Sequence, residues 1–266
     1  MLLDFHRLGW IRWALAAFGV AAALYLLLPI VFIALLSFGS SPWLLFPPPG
    51  WTLQWYREFF ADPQWIGSLL VSLKIAVIVT VLSVLLGLLA ALALTRGRFR
   101  GRGALQAFLL TPMILPVVVL AVGLYALFLR TGLNGTLVGF VVAHLVIALP
   151  FSVIVIANAL LGFDRSIEDA AILCGASPLQ ATLRVTLPSI RLGLLGAAVF
   201  SFLCSWDEVV LAIFMASPSL QTFPVRIWTV LRQDLTPVIA AASSLVLLVT
   251  LAMLVVGGLV AGRRRA

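Results

Sequence analysis

Asp207 and Glu208 are the residues of this chain most able to do chemistry. They stand side by side in FSFLCSWDEVVLAIFM, a stretch otherwise without charge. Two carboxylates inside an apolar helix are costly to hold, and such groups usually face a bundle interior or a water-filled path. Adjacent helical positions point about 100° apart, so the two need not share a role. One reading is a cation-attracting site on a translocation path; Trp206 either offers a cation–π face to an ammonium group or, as an isolated residue, belongs to packing. The other is a structural ion pair with Lys74, Arg226 or Arg232. Lys74 itself lies near the end of an apolar segment, where its stem can snorkel to an interface.

Other chemistry is poorly supplied. Cys174 and Cys204, the only cysteines, fall in different kinds of segment and read as two free thiols. Neither they nor His6 and His144 have the company that a metal site needs. His144 sits in an apolar stretch and is expected to make a bundle-facing hydrogen bond. No G-x-x-x-x-G-K-[ST] occurs, so no loop of this chain cradles nucleotide phosphates. The absence of H-E-x-x-H, G-x-S-x-G and G-x-G-D leaves an intramembrane enzyme without a constellation.

The elements that must position the carboxylates follow from composition. The 266 residues are 63% hydrophobic and 10% charged, whereas a soluble domain is about half apolar and a quarter charged. The chain is therefore read as a membrane protein. Its formal charge of +8 comes from arginines flanking apolar segments. That pattern sets topology and argues against nucleic acid as a partner.

Apolar runs cover about 13–38, 65–95, 104–129, 136–160, 192–215 and 237–260, each long enough to cross a hydrocarbon core of about 30 Å. The first exceeds the roughly 7–15 residues of a signal-peptide core and is read as retained. The third contains Pro112 and Pro116; the fifth contains the carboxylates. In the connection 39–64, Ser40-Ser41-Pro42 and Pro47-Pro48-Pro49-Gly50 cannot continue a helix. Within it, WTLQWYREFF has the aromatic–polar mixture of a membrane–water interface. The stretch from Pro224 to Arg232, with Trp228 central, reads as an external helix near a gate or as an interfacial anchor.

Arg7, Arg12, Arg96, Arg98, Arg100, Arg102, Arg165, Arg184, Arg191, Arg263, Arg264 and Arg265 fall on one side of these spans. Arg57, Arg130, Arg226 and Arg232 fall on the other. The larger group belongs in the cytoplasm. The chain is expected to be an all-α polytopic membrane protein with six transmembrane helices, N-in and C-in. Its organisation is 1–64 (first helix and periplasmic loop), 65–261 (a five-helix transmembrane domain) and 262–266 (a cytoplasmic tail).

The loop 161–191, cytoplasmic on this topology, is more than a linker. Ser166 is expected to cap a helix, with Asp169 completing a capping box. Gly175 supplies the left-handed residue that ends it. Ser177 caps a second helix with Pro178 in its first turn; Leu179 to Val185 continue it and Pro188 breaks it. Helix–Gly–helix with small and apolar faces suits docking of a cytoplasmic partner, or a helix pair lying on the inner leaflet.

This segment resembles the EAA loop of ABC importer permeases, whose pattern is E-A-A, three residues, G, nine residues, I-x-L-P. Here it reads Asp169-Ala170-Ala171, Gly175, then Val185-Thr186-Leu187-Pro188. Asp169 stands where Glu is usual and Val185 where Ile is usual; Glu168 lies alongside and can share the acidic role. The resemblance extends through Ser72-Leu73-Lys74-Ile75-Ala76 and Thr111-Pro112-Met113-Ile114-Leu115-Pro116. It implies the type I ABC importer permease fold and a coupling helix seated in an ATPase subunit. Glu168, Asp169, Ala170, Ala171, Gly175, Ser177, Leu187 and Pro188 would form the coupling loop. It implies a non-catalytic subunit of a bacterial inner membrane that binds no cofactor itself. ATP and magnesium would sit on a partner ATPase dimer, alongside a second permease and a periplasmic substrate-binding protein. SWDEVVLAIF, TFPVRIW, LRQDLTP and IAAASSL resemble the polyamine branch. That branch implies putrescine, spermidine or another amine-bearing solute such as an amino acid, with Trp206, Asp207 and Glu208 on its path.

Overall fold

A computed structural model describes residues 10–262; His6, Arg7 and the arginines 263–265 lie outside the described residues. Among those described, every regular element is helical: α1 (Ile11–Leu36), α2 (Gln54–Ala61), α3 (Pro63–Arg96), α4 (Arg102–Ile114), α5 (Val117–Thr131), α6 (Leu137–Leu161), α7 (Arg165–Leu173), α8 (Pro178–Ala181), a π-helical turn (Thr182–Thr186), α9 (Leu187–Ser189), α10 (Arg191–Trp206), α11 (Val210–Met215), α12 (Phe223–Gln233) and α13 (Pro237–Gly262). Four helices, α1, α3, α6 and α13, are long and apolar enough to cross a membrane, and the count reaches six if two bent helix pairs each form one span.

The chain divides into two compact units. One comprises Met1–Asp62 with Thr229–Leu248; the other comprises Pro63–Trp228 with Val249–Ala266. In the first, α2 folds back on the end of α1. Trp55 Nε1 donates to the Gly39 carbonyl at 2.6 Å, and the Ser37 and Tyr56 hydroxyls meet at 2.8 Å. Trp55 and Phe59, one turn apart, are the buried face of α2. The aromatic segment is thus a true amphipathic helix.

The second unit is built on α3, α6 and α10. At 34 residues, α3 is about 51 Å long and extends well past a hydrocarbon core. Lipid tails are as apolar as leucine, so packing in a membrane needs close approach and interhelical hydrogen bonds. Both are present. Ser83, Ser152 and Ser201, one from each helix and all fully buried, close a ring of hydroxyls with separations of 2.9, 2.7 and 3.1 Å. A side chain on Gly87 would sit 2.7 Å from the Ser152 Cβ, so α3 and α6 touch where glycine leaves room. Towards one end, Ile75, Val79, Phe128, Phe140, Ala212 and Met215 form one apolar cluster. Towards the other, Ala91, Ile156, Leu160, Ile190 and Ala197 form a second.

Two of the apolar runs are broken. The third divides into α4 and α5, bent by 106°. Pro116 disfavours helical geometry in the residue before it, and Leu115 is extended at φ −73°, ψ 138°. Pro112 stays within α4. The fifth divides into α10 and α11 at Asp207–Val209. The carboxylates therefore lie at a break and not inside a continuous apolar helix.

Candidate functional site

The loop between α6 and α10 folds as a compact helical unit. Its first helix, α7, is capped by Asp164, whose carboxylate accepts from the Ser166 backbone N–H at 2.9 Å. That bond, with the Ser166 hydroxyl, holds the Asp164 carboxyl below its ordinary range. The expected Ser166/Asp169 capping box does not form. Ser166 lies inside the helix, because Asp164 reaches the same donors from two residues earlier. Helix α7 ends with the Ala176 N–H donating to Ala171 O at 3.1 Å and the Gly175 N–H to Ile172 O at 2.9 Å. This is the paired closure of a Schellman turn, and Gly175 takes φ +97° to make it.

Ser177 then caps α8 in a complete capping box. Its hydroxyl accepts from the Gln180 N–H at 3.2 Å, while the Gln180 side chain accepts from the Ser177 N–H at 3.0 Å. Pro178 occupies the first turn. The chain does not continue as a plain helix to Val185, nor does Pro188 break it. Thr182–Thr186 widen into the π turn just ahead of Pro188, whose ring would crowd a carbonyl four residues back in an α-helix. The direction changes at Ile190 instead, where the chain bends by 70° into α10.

The two acidic residues of the loop do different things. Asp169 is exposed and only loosely faces Arg165, at 4.0 Å. Glu168 is buried at 7% exposure. It pairs with Arg96 at the end of α3, 2.6 and 2.7 Å from Nη1. The Thr186 hydroxyl donates to it at 2.7 Å, and the Thr182 hydroxyl lies at 3.3 Å. Glu168 therefore cannot share an outward acidic role with Asp169. Ala170, Gly175, Ser177 and Pro188 differ from it in being exposed, and Ala171 and Leu187 are partly so. Beside them stand residues that motif reading overlooked: Leu173, 89% exposed, with Ile172, Leu179 and Leu183 also outward. Leucines in a loop that packing leaves uncovered were the available signal.

At the second site, Trp206 is the last residue of α10 and is 2% exposed, stacked on Phe202 at 5.8 Å. It belongs to the packing and has no face to offer a cation. Asp207 is exposed and Glu208 half-buried. Glu208 reaches forward to accept the Leu211 N–H at 2.7 Å, satisfying a donor left open at the start of α11. Among the described residues neither carboxylate joins an ion pair, so the structural ion pair weighed from the sequence does not form. Lys74 is exposed. His144 makes the hydrogen bond expected of it, to the Ser205 hydroxyl at 2.9 Å. Cys174 and Cys204 are free.

The family model for the binding-protein-dependent transport system inner membrane component matches residues 83–265. The chain is 30% identical over 244 residues to the spermidine/putrescine transport system permease protein PotC of Haemophilus influenzae, covering 92% of this chain and 95% of that one. It is 30% identical over 230 residues to the putrescine transport system permease protein PotI of Escherichia coli, covering 84% and 82%. In fold it resembles a chain of a bacterial ABC transporter that imports the acidic polysaccharide alginate, with a TM-score of 0.74 at 16% identity over 96% of this chain and 97% of that one. A bacterial alginate ABC transporter in complex with an alginate pentasaccharide-bound periplasmic protein gives 0.72 at 17% identity, over 97% and 98%.

Proposed function

The chain belongs to the binding-protein-dependent transport system inner membrane components, a non-catalytic, multi-pass subunit of an ABC importer, and from that premise we propose that it carries a small amine across the bacterial inner membrane, with a polyamine as the first choice. Its own membrane segments would form half of the path. A second, homologous permease would form the other half, a periplasmic receptor would deliver the solute, and an ATPase dimer binding ATP and magnesium would drive the cycle. In this reading the spans number six, with α4–α5 crossing once and α10–α11 crossing once, and both termini and the α7–α9 loop face the cytoplasm.

Docking of the ATPase rests on one observation above the rest: a capped, hydrogen-bonded helix pair that holds Leu173 almost wholly uncovered. Ordering a loop costs conformational entropy, and an exposed apolar patch on an ordered unit marks an interaction surface. Asp169, outward and without a close partner, is the acidic residue of the motif available to the ATPase. When ATP closes the ATPase dimer, the loops would be drawn with it and the spans would change their access.

The amine reading rests on Asp207. A carboxylate at a break between helices, exposed and unpaired, offers a cation a partner that costs no existing ion pair. Glu208 holds the break open by capping α11 and adds negative charge beside it. Trp206 supports the turn from behind. The PotC and PotI relatives, named for spermidine and putrescine transport, favour the same solute class; an amino acid with a free ammonium is the second reading. Uptake by the reconstituted complex carrying Asp207→Asn tests the assignment: transport of putrescine falls, while unchanged uptake removes Asp207 from the path.

A further inference from the structure

The loop is tied covalently to α6 and α10, and both joints are non-helical. Gly162–Asp164 separates α6 from α7, and the 70° bend at Ile190 separates α9 from α10. Such joints absorb rotation. The tie to α3 is of another kind. Arg96, the last residue of that helix, enters the notch between α7 and the π turn. There it meets Glu168 at 2.6 and 2.7 Å and reaches the Thr186 hydroxyl at 3.5 Å. Thr186 in turn donates to Glu168 at 2.7 Å, so three side chains from three elements close on one another. The arginine and glutamate side chains are 19% and 9% exposed, too little for water to substitute readily for the pair. Glu168 and Arg96 are 72 residues apart in sequence, and the widened turn is what brings the fully buried Thr186 against them.

We propose that the Arg96–Glu168–Thr186 clasp is the strut through which the docking loop moves α3, so that Glu168 acts inside the permease as a positioning residue and not as a contact to the ATPase. The strut rests on the docking role proposed for the loop. With the clasp intact, α7, the π turn and the end of α3 move as one body, and α3 carries the displacement into the serine ring it shares with α6 and α10. Without it, the loop can follow the ATPase on its two bent joints while α3 lags. ATP is then hydrolysed without a matching change of access.

The test uses the whole complex in proteoliposomes, with solute uptake and ATP hydrolysis measured together. Arg96→Met with Glu168→Gln removes the charges while keeping volume, and the amide oxygen that replaces the carboxylate can still accept from Thr186. Solute imported per ATP falls about tenfold, a coupling loss of ordinary size, while the ATPase still copurifies. Arg96→Cys with Glu168→Cys, in a Cys174→Ser, Cys204→Ser background, gives low coupling that a short thiol-to-thiol cross-linker restores. A role confined to folding would not be rescued by a tether. Thr186→Val, lacking one hydroxyl, shows a smaller loss in the same direction and serves if the double variant fails to insert. Wild-type coupling in these variants overturns the strut and leaves docking standing. Loss of ATPase copurification in Glu168→Gln also overturns it, by returning Glu168 to the docking surface. Failure of docking itself is read separately, from an ATPase that copurifies undiminished with Leu173→Glu.

Discussion

Gly175 carries the sharpest consequence of the loop geometry. Its φ of +97° is a conformation that residues with a Cβ avoid, at a cost of about 1–2 kcal/mol. Nothing lies within 4 Å of a Cβ built there, so Gly175→Ala meets no clash and the penalty is purely that of the backbone. A penalty of that size lowers the population of the correctly turned loop by about 5- to 30-fold. Asn tolerates left-handed geometry better than Ala, so Gly175→Asn loses less. Proline fixes φ near −65° and lacks the N–H that here donates to Ile172 O at 2.9 Å, so Gly175→Pro removes the turn outright. The assay is ATPase copurification with the membrane-inserted permease, followed by solute-stimulated ATP hydrolysis. The expected order is Gly, Asn, Ala, Pro, with insertion unchanged and coupling abolished in Gly175→Pro. Wild-type coupling in Gly175→Pro would refute the assignment of this loop as the docking element.

Leu173→Glu replaces an outward side chain, so the permease folds and inserts normally while its affinity for the ATPase falls about tenfold or more, as for a central apolar contact; pull-down from detergent measures it. Asp207→Asn lowers uptake of a cationic solute about tenfold, since a charge pair at contact distance is worth between about 1 and 4 kcal/mol from water to a partly screened site. Glu208→Gln keeps an oxygen able to accept from Leu211 and loses less, so equal losses in the two variants would contradict the division of roles. Gly87→Ala forces a methyl against Ser152 and destabilises the α3–α6 contact by about 1–3 kcal/mol, read as a lower melting temperature in detergent; an unchanged melting temperature would show that the helices do not meet there.

What the sequence made legible was mostly local. Ser177-Pro178 and Gly175 announce a cap and a turn by chemistry that acts within a few residues, and both elements form. Composition was enough for a membrane chain, and the lengths of the apolar runs for its helices. The break at Leu115 left a trace, since Pro116 constrains the residue before it, but uniform hydropathy across 104–129 hid the corner. The α10–α11 break was not readable in that way. It has no proline or glycine at Asp207–Val209, and it depends on Glu208 reaching forward to cap the next helix. The cap of α7 was misplaced because Ser166 and Asp164 are both good cap residues two positions apart. The Arg96–Glu168 pair was beyond reach. Both residues lay in segments already given other work, one in topology and one in the motif, and only the folded π turn joins them. Trp206 shows the same limit, since nothing in its neighbours tells a packed indole from an exposed one.

The most direct test of the account is uptake and ATP hydrolysis by the complex reconstituted with its receptor, challenged in parallel with putrescine, spermidine, γ-aminobutyrate and a neutral sugar. Stimulation by amines, with loss of that stimulation in Asp207→Asn, is the predicted result. Stimulation by the sugar with no response to any amine would contradict the proposed solute and the place of Asp207 on its path.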